Sequence, residues 1–199
     1  MVVASSDAFK CGAFVGVVGP SGAGKDSVMA GAKALLRYQP SIIFPQRIVT
    51  RAPDAAEGNV EMSQREFDLV NASGGFALAW VAHNLSYAVP AEVDADVAQG
   101  RIVVVNVSRS VVPALRHRYT RGLVAFIDAP AHVRRARISQ RGRENSGAVD
   151  ERLAREVASF LPADADVLID NSGSVEHAAR ALADYLASLM NVSVSAQSA

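Results

Sequence analysis

The sequence predicts an α/β domain, a parallel sheet with helices on both faces. Three observations carry this. Residues 13–18, 102–107 and 123–128 are short, almost unbroken apolar runs, the pattern of strands buried on both sides. Segments long enough for helices separate them, so strand and helix alternate along the chain. A glycine-bearing turn, residues 19–24, closes the first run directly before one of those helices.

Taken in order, residues 1–11 read as a loose leader and 13–18 (AFVGVV) as the first strand. A helix is expected over 25–37, stopped before Pro40, then a strand over 46–50. Ser63-Gln64-Arg65-Glu66 has the capping-box pattern and opens a helix to about Val70; Gly74-Gly75 ends it. Residues 76–82 and 86–89 read as a hairpin around His83-Asn84. Pro90 suits the first position of a helix to Gln99, with Gly100 as its stop. Strands over 102–107 and 123–128 bracket a helix over 110–119, whose Pro113 must lie in the first turn. A helix over 131–140, a polar loop over 141–147 and a helix over 149–160 follow. The last elements are a strand at 167–170 and a helix at 175–190, with 191–199 a polar tail. Residues 51–89 are more polar and read as an insertion on the strand ends. The expectation is one domain over 1–190: a core of 12–50 and 90–190, the insertion 51–89, a lid at 141–148 and the tail 191–199.

Composition narrows the function. Half of the 199 residues are hydrophobic and 20% are charged, which is ordinary for a globular chain. The single cysteine, Cys11, excludes an internal disulfide and a four-cysteine zinc site, and suits a reducing cytoplasm. No apolar run approaches the ~20 residues of a membrane helix. The first ten residues carry Asp7 and lack a basic segment before an apolar core, so no signal peptide is expected. Twenty basic residues balance twenty acidic ones, which argues against general nucleic-acid binding. Three of the twenty are Lys10, Lys25 and Lys33, leaving seventeen arginines, the side chain suited to bidentate phosphate binding. Arg134, Arg135, Arg137, Arg141, Arg143, Arg152 and Arg155 fall within 22 residues, opposed there only by Glu144, Asp150 and Glu151.

Gly19-Pro20-Ser21-Gly22-Ala23-Gly24-Lys25-Asp26 fits the GxxxxGK phosphate loop, and strand and helix flank it as that motif requires. Its glycines let successive N–H groups face phosphate oxygens, and the helix N-terminus adds partial positive charge. Lys25 can bridge β- and γ-phosphates. The class is therefore that of P-loop NTPases, with ATP and Mg²⁺ as the expected cofactors. Where a serine or threonine normally follows the lysine to hold Mg²⁺, this chain has Asp26 and then Ser27. Either could serve the metal, directly or through water.

The GPSGAGK loop, Thr50-Arg51, the Phe76–Tyr87 hairpin and the Arg-rich 137–155 stretch with Arg141-Gly142 resemble the guanylate kinase-like branch of monophosphate kinases over about residues 13–180. The resemblance implies that the insertion binds the acceptor and that the arginine-rich loop is a lid over ATP. The groups that read guanine are absent: the hairpin run is Phe76-Ala77-Leu78-Ala79-Trp80, without a carboxylate; Asp54 lies close to where a second arginine is usual; and Val105-Asn106-Val107 stands for Asp-Ile-Asp. Gly24-Lys25-Asp26-Ser27, Val105 to Arg109 and Arg141-Gly142-Arg143-Glu144-Asn145 together resemble the ribose 1,5-bisphosphate phosphokinases of phosphonate catabolism. This implies ATP-dependent phosphorylation of that sugar to 5-phosphoribosyl 1-diphosphate in the cytoplasm. The other readings are a guanylate or other nucleoside monophosphate kinase and a non-enzymatic module of the same fold.

A phosphate acceptor is already ionised, so the site needs cations and N–H groups rather than a base. Arg51 is the first candidate for the acceptor phosphate. Tyr87 is either a hydroxyl that donates a hydrogen bond to a phosphate or a core aromatic. Ser108 and Arg109 follow a strand at its C-terminal end, where ligands of open α/β sheets lie. Asn106 either orients Mg²⁺ or a sugar hydroxyl, or makes a structural hydrogen bond. Arg141 and Arg143 are the expected arginine fingers, flanked by Arg137, Arg152 and Arg155; Arg134 and Arg135 read as surface residues. Asp170-Asn171-Ser172-Gly173 is a candidate for part of the adenine pocket. His83, His117, His132 and His177 are scattered and read as structural or surface residues, and Trp80 as core or hinge packing. The partner is a small-molecule sugar phosphate, with no nucleic acid and no membrane; a homodimer is the candidate assembly.

Overall fold

The structure is a computed structural model that describes residues 12–50, 59–82, 84–140 and 162–191. The expectations for Cys11, Arg51, Asp54, His83, Arg141, Arg143, Arg152 and Arg155, for the 141–148 lid and for the 149–160 helix lie outside the described residues.

Two sheets form. The larger contains β1 (Ala13–Val18), β2 (Ile42–Ile43), β7 (Ile102–Asn106), β8 (Gly122–Asp128) and β9 (Val167–Asp170), in the order β2-β7-β1-β8-β9. Every pairing in it is parallel. All six residues of β1 are buried, as an unbroken apolar run on a central strand requires. Side chains alternate between the faces. Ala13, Val15 and Val17 join Val104, Ile127 and Ile169 under α1 (Lys25–Leu35) and α6 (Val175–Ser188), where Val28, Ala32, Leu182 and Leu186 complete the layer. On the other face Phe14, Val103 and Val105 pack with Val112 and Leu115 of α4 (Val112–Arg118) and Val93 of α3 (Val93–Ala98). Pro113 lies in the first turn of α4, where a missing N–H costs nothing.

The smaller sheet runs β4-β3-β6-β5, from β3 (Ile48–Val49), β4 (Val60–Glu61), β5 (Phe76–Ala82) and β6 (Leu85–Pro90). β5 and β6 are an antiparallel hairpin, and β3 pairs antiparallel with β6. The apolar face of α2 (Gln64–Ala72) covers this sheet through Phe67, which packs with Ile48, Phe76 and Ala88. The capping box is present: Ser63 Oγ accepts from the Glu66 N–H at 3.3 Å and the Glu66 carboxylate accepts from the Ser63 N–H at 3.0 Å.

Three expectations are corrected. The strand expected over 46–50 is Ile48–Val49 and belongs to the smaller sheet; the edge of the main sheet is Ile42–Ile43, two residues that carry no local signal. Pro90 is the last residue of β6, opposite Phe76, and helix α3 begins at Val93 after a turn in which the Asp94 N–H bonds the Ala91 carbonyl at 3.0 Å. A proline tolerates the strand end because no ladder donor is needed there. The segment expected as a helix from 110 begins as a 3-10 turn at Arg109–Val111, capped by Ser108.

One charge cluster ties the α3–α4 face to the sheet. Asp94 accepts from Arg118 through both carboxylate oxygens and from the Tyr119 hydroxyl at 2.6 Å, and the Tyr119 ring stacks on Phe14 at 4.8 Å. The Arg118 hydrogen bond, joined by Tyr119, holds the Asp94 carboxyl below its usual value, against the opposing effect of burial. A depressed carboxylate stabilises the fold above its unfolded value of about 3.9 and loses that contribution as pH falls through the folded value. The Tm gap between the native chain and Asp94→Asn is therefore expected to be constant from pH 7 to about 5 and to close below about pH 4. A gap unchanged at pH 3 would show that the cluster does not act through charge.

Candidate active site

The site sits at the C-terminal ends of β1, β7 and β8, beside the point where the chain order reverses across β1. The loop that leaves β1 wraps the N-terminus of α1. Gly19 (φ 149°) and Gly24 (φ 83°) take backbone conformations that other residues rarely adopt. Lys25 is the first residue of α1, and its Nζ turns back to donate to the carbonyls of Gly19 at 2.7 Å and Pro20 at 3.0 Å. The ammonium thus lies over the concave side of the loop.

Among the described residues, two buried polar atoms beside the loop lack a hydrogen-bond partner, Arg137 Nη1 and Asn171 Oδ1. Asn171 is 0% exposed, and its Nδ2 donates to the Ala23 carbonyl at 2.7 Å, so it props the loop from below. A Cβ on Gly24 would stand 2.5 Å from that Nδ2 and 3.7 Å from Arg137 Nη1. Arg137, on α5 (Ala131–Gln140), therefore brings a desolvated, unsatisfied donor to the loop. A glycine cradle, a lysine over it and an orphaned guanidinium donor fit a nucleotide's polyphosphate. Of the residues expected near adenine, Asn171 supports the loop, and Asp170 is engaged locally, accepting from the Ser172 N–H and hydroxyl, both at 2.8 Å. Arg134, read as a surface residue, is partly buried and donates to the Ala129 carbonyl at 3.0 Å.

The next residues of α1 face β7. Asn106 Nδ2 donates to Asp26 Oδ1 at 2.7 Å, so Asn106 makes a structural hydrogen bond to one of the two candidate metal ligands. Asp26 is half-buried and Ser27 is exposed. Among the described residues no three His, Cys, Asp or Glu side chains cluster as a metal cage. A hard cation held by one carboxylate or hydroxyl and by phosphates needs no such cage. Ser108 caps the 3-10 turn, accepting from the Ser110 N–H at 3.3 Å; Arg109 opens that turn at the same sheet end.

In the smaller sheet Tyr87 is buried and its ring stacks on Trp80 at 5.6 Å, so both rings pack within the hairpin. Thr50 Oγ1 accepts from the Ser86 N–H at 2.9 Å, fixing the residue that precedes Arg51. Sequence reasoning missed Arg47, which lies just before β3 over the Tyr87 ring at 5.8 Å. Its Nε donates to Asn59 Oδ1 at 3.3 Å and its Nη1 to the Asn106 carbonyl at 3.2 Å. The signal available was its place in a β3 segment leading to Thr50-Arg51. His117, His132 and His177 are exposed, as expected.

Residues 13–189 match the sequence profile of the guanylate kinase family. A ribose 1,5-bisphosphate phosphokinase PhnN of Bradyrhizobium diazoefficiens is 46% identical over 171 residues, 86% of each chain. A relative of the same name from Acidiphilium cryptum is 44% identical over 172 residues, 86% of this chain and 91% of its own. Among solved structures, guanylate kinase from Anaplasma phagocytophilum superposes with a TM-score of 0.66 at 15% identity, over 92% of this chain and 88% of that one, a likeness of fold alone.

Proposed function

We propose that this chain, which belongs to the guanylate kinase family, phosphorylates ribose 1,5-bisphosphate with ATP to give 5-phosphoribosyl 1-diphosphate. The transfer joins an oxygen of the sugar's 1-phosphate to the γ-phosphorus of ATP and breaks the bond from that phosphorus to the β,γ-bridging oxygen. Lys25 and the N–H groups of residues 19–24 would hold the β- and γ-phosphates, and Arg137 would supply a further donor. Arg141 and Arg143 would close from the lid, and Arg51 and Arg109 would take the acceptor's phosphates. Mg²⁺, held by Asp26 or Ser27, would neutralise charge on the phosphates.

One observation carries the choice of acceptor. The β5–β6 hairpin, residues 76–90, holds no Asp or Glu, the carboxylate with which guanylate kinases read their base. A site without the partner for a buried amide discriminates strongly against the ligand that needs it. Kinship to relatives named for the sugar substrate supports the same reading. No helix is long and apolar enough to cross a membrane, among the described residues.

The test is ³¹P NMR of the protein with ATP and Mg²⁺, given ribose 1,5-bisphosphate in one tube and GMP in another. The expected result is a new diphosphate signal on the ribose C1 in the first tube and no GDP in the second. GDP alone would overturn the proposal in favour of a nucleoside monophosphate kinase. ATP binding without turnover in either tube would favour a non-enzymatic module.

A further inference from the structure

We propose that Arg47 is a positioning residue of the transfer, the outer end of a hydrogen-bonded strut that locks the acceptor sheet to the phosphate loop. The strut has two links. Arg47 Nη1 donates to the Asn106 carbonyl at 3.2 Å. Asn106 Nδ2 donates to Asp26 Oδ1 at 2.7 Å, one residue beyond Lys25. Asn106 is the last residue of β7, so its backbone is held by the central sheet, where it pairs with Val17.

The outer end is equally fixed to the small sheet. The Arg47 carbonyl accepts from the Val60 N–H at 2.8 Å, and Nε donates to the buried Asn59 side chain at 3.3 Å. The guanidinium lies over Tyr87 of β6. Arginine alone among the cations has a planar fork that reaches several acceptors in different directions at once. A lysine in its place could satisfy one of them. The strut therefore fixes the distance between the two phosphate-binding halves, which in-line transfer demands: a displacement near 1 Å costs on the order of a hundredfold in rate.

This inference rests on the phosphotransfer reading above, yet one of its consequences needs no acceptor. If the strut is rigid, a nucleotide bound at Lys25 and Asp26 quietens the acceptor sheet. In hydrogen-exchange measurements on the whole chain, added Mg·ATP is expected to slow exchange both in peptides of the phosphate loop and in those covering residues 85–90. In Arg47→Met the loop peptides keep their protection and residues 85–90 lose theirs. Absence of ATP-linked protection at 85–90 in the native chain would overturn the strut whatever the acceptor proves to be.

With ribose 1,5-bisphosphate as acceptor, Arg47→Met is expected to lower kcat at least tenfold while the Kd for ATP, measured by displacement of a fluorescent nucleotide, stays within twofold. Arg47→Lys keeps the charge and is expected to fall between the two, and it serves should the methionine variant not fold. Asn106→Ala breaks the inner link, so adding it to Arg47→Lys should cost less than the two separate losses multiplied. Fully multiplicative losses, an unchanged kcat, or a Kd for ATP that weakens in step with kcat would each overturn the proposal. Failure of the native chain to turn over the bisphosphate, with the exchange pattern intact, would remove the acceptor assignment and leave the strut.

Discussion

Replacing Lys25 by alanine is expected to lower kcat by at least about a hundredfold while leaving the fold in place, the order of loss seen when one preorganised donor to developing charge is removed. The argument is electrostatic. Phosphoryl transfer moves negative charge from the γ-group toward the β,γ-bridging oxygen, and the protein has little covalent chemistry to offer. A cation on the loop can follow that charge only if it is held close and partly desolvated. Lys25 is held so: its ammonium is tethered to the Gly19 and Pro20 carbonyls, both within six residues of it along the chain. These neutral carbonyls are weak competitors for a phosphate, so the lysine can exchange them for a ligand. Because both bonds lie within the loop, their loss loosens residues 19–25 without opening the core, and Tm should shift by no more than a few degrees. Near-normal kcat would remove Lys25 from the chemistry. A collapse of Tm would show that its role is to hold the loop together.

What could be read from the sequence was local. The phosphate loop was legible because strand, glycine turn and helix adjoin one another. The Ser63–Glu66 capping box was legible because both partners lie three residues apart. The both-faced burial of β1 followed from an apolar run that the chain cannot expose. The remainder depends on pairings distant in sequence. Arg47 meets Asn106 across 59 residues, Asn106 meets Asp26 across 80, and Asn171 meets Ala23 across 148. No local pattern marks such partners. Asn171 illustrates the consequence: the sequence places it in a late polar loop, and nothing local shows that it is buried and holds the Ala23 carbonyl of the phosphate loop. Pro90 shows a different limit. A proline suits both a helix start and a strand end, and the pairing of β6 with β5 settled which.

The second large effect is expected at Gly19, in stability rather than rate alone. A Cβ added there would stand 2.0 Å from the Ile127 carbonyl oxygen, a backbone atom, at a φ of 149°. That oxygen cannot retreat easily, because β8 is hydrogen-bonded on both sides, to β1 and to β9. Gly19→Ala must therefore combine a backbone conformation foreign to alanine with overpacking against a fixed strand, together on the order of 2–6 kcal/mol. For a chain of this size that is roughly 10 °C in Tm. Gly74→Ala separates the two causes. Gly74 also has a positive φ, 75°, but a Cβ there would meet nothing within 4 Å. It should cost about 1 kcal/mol, or ~3 °C. Equal Tm losses in the two variants would mean that the first turn of the loop does not press on β8. A larger loss at Gly19, with ATP affinity falling alongside, would mean that the close approach of loop to strand is what shapes the phosphate cradle.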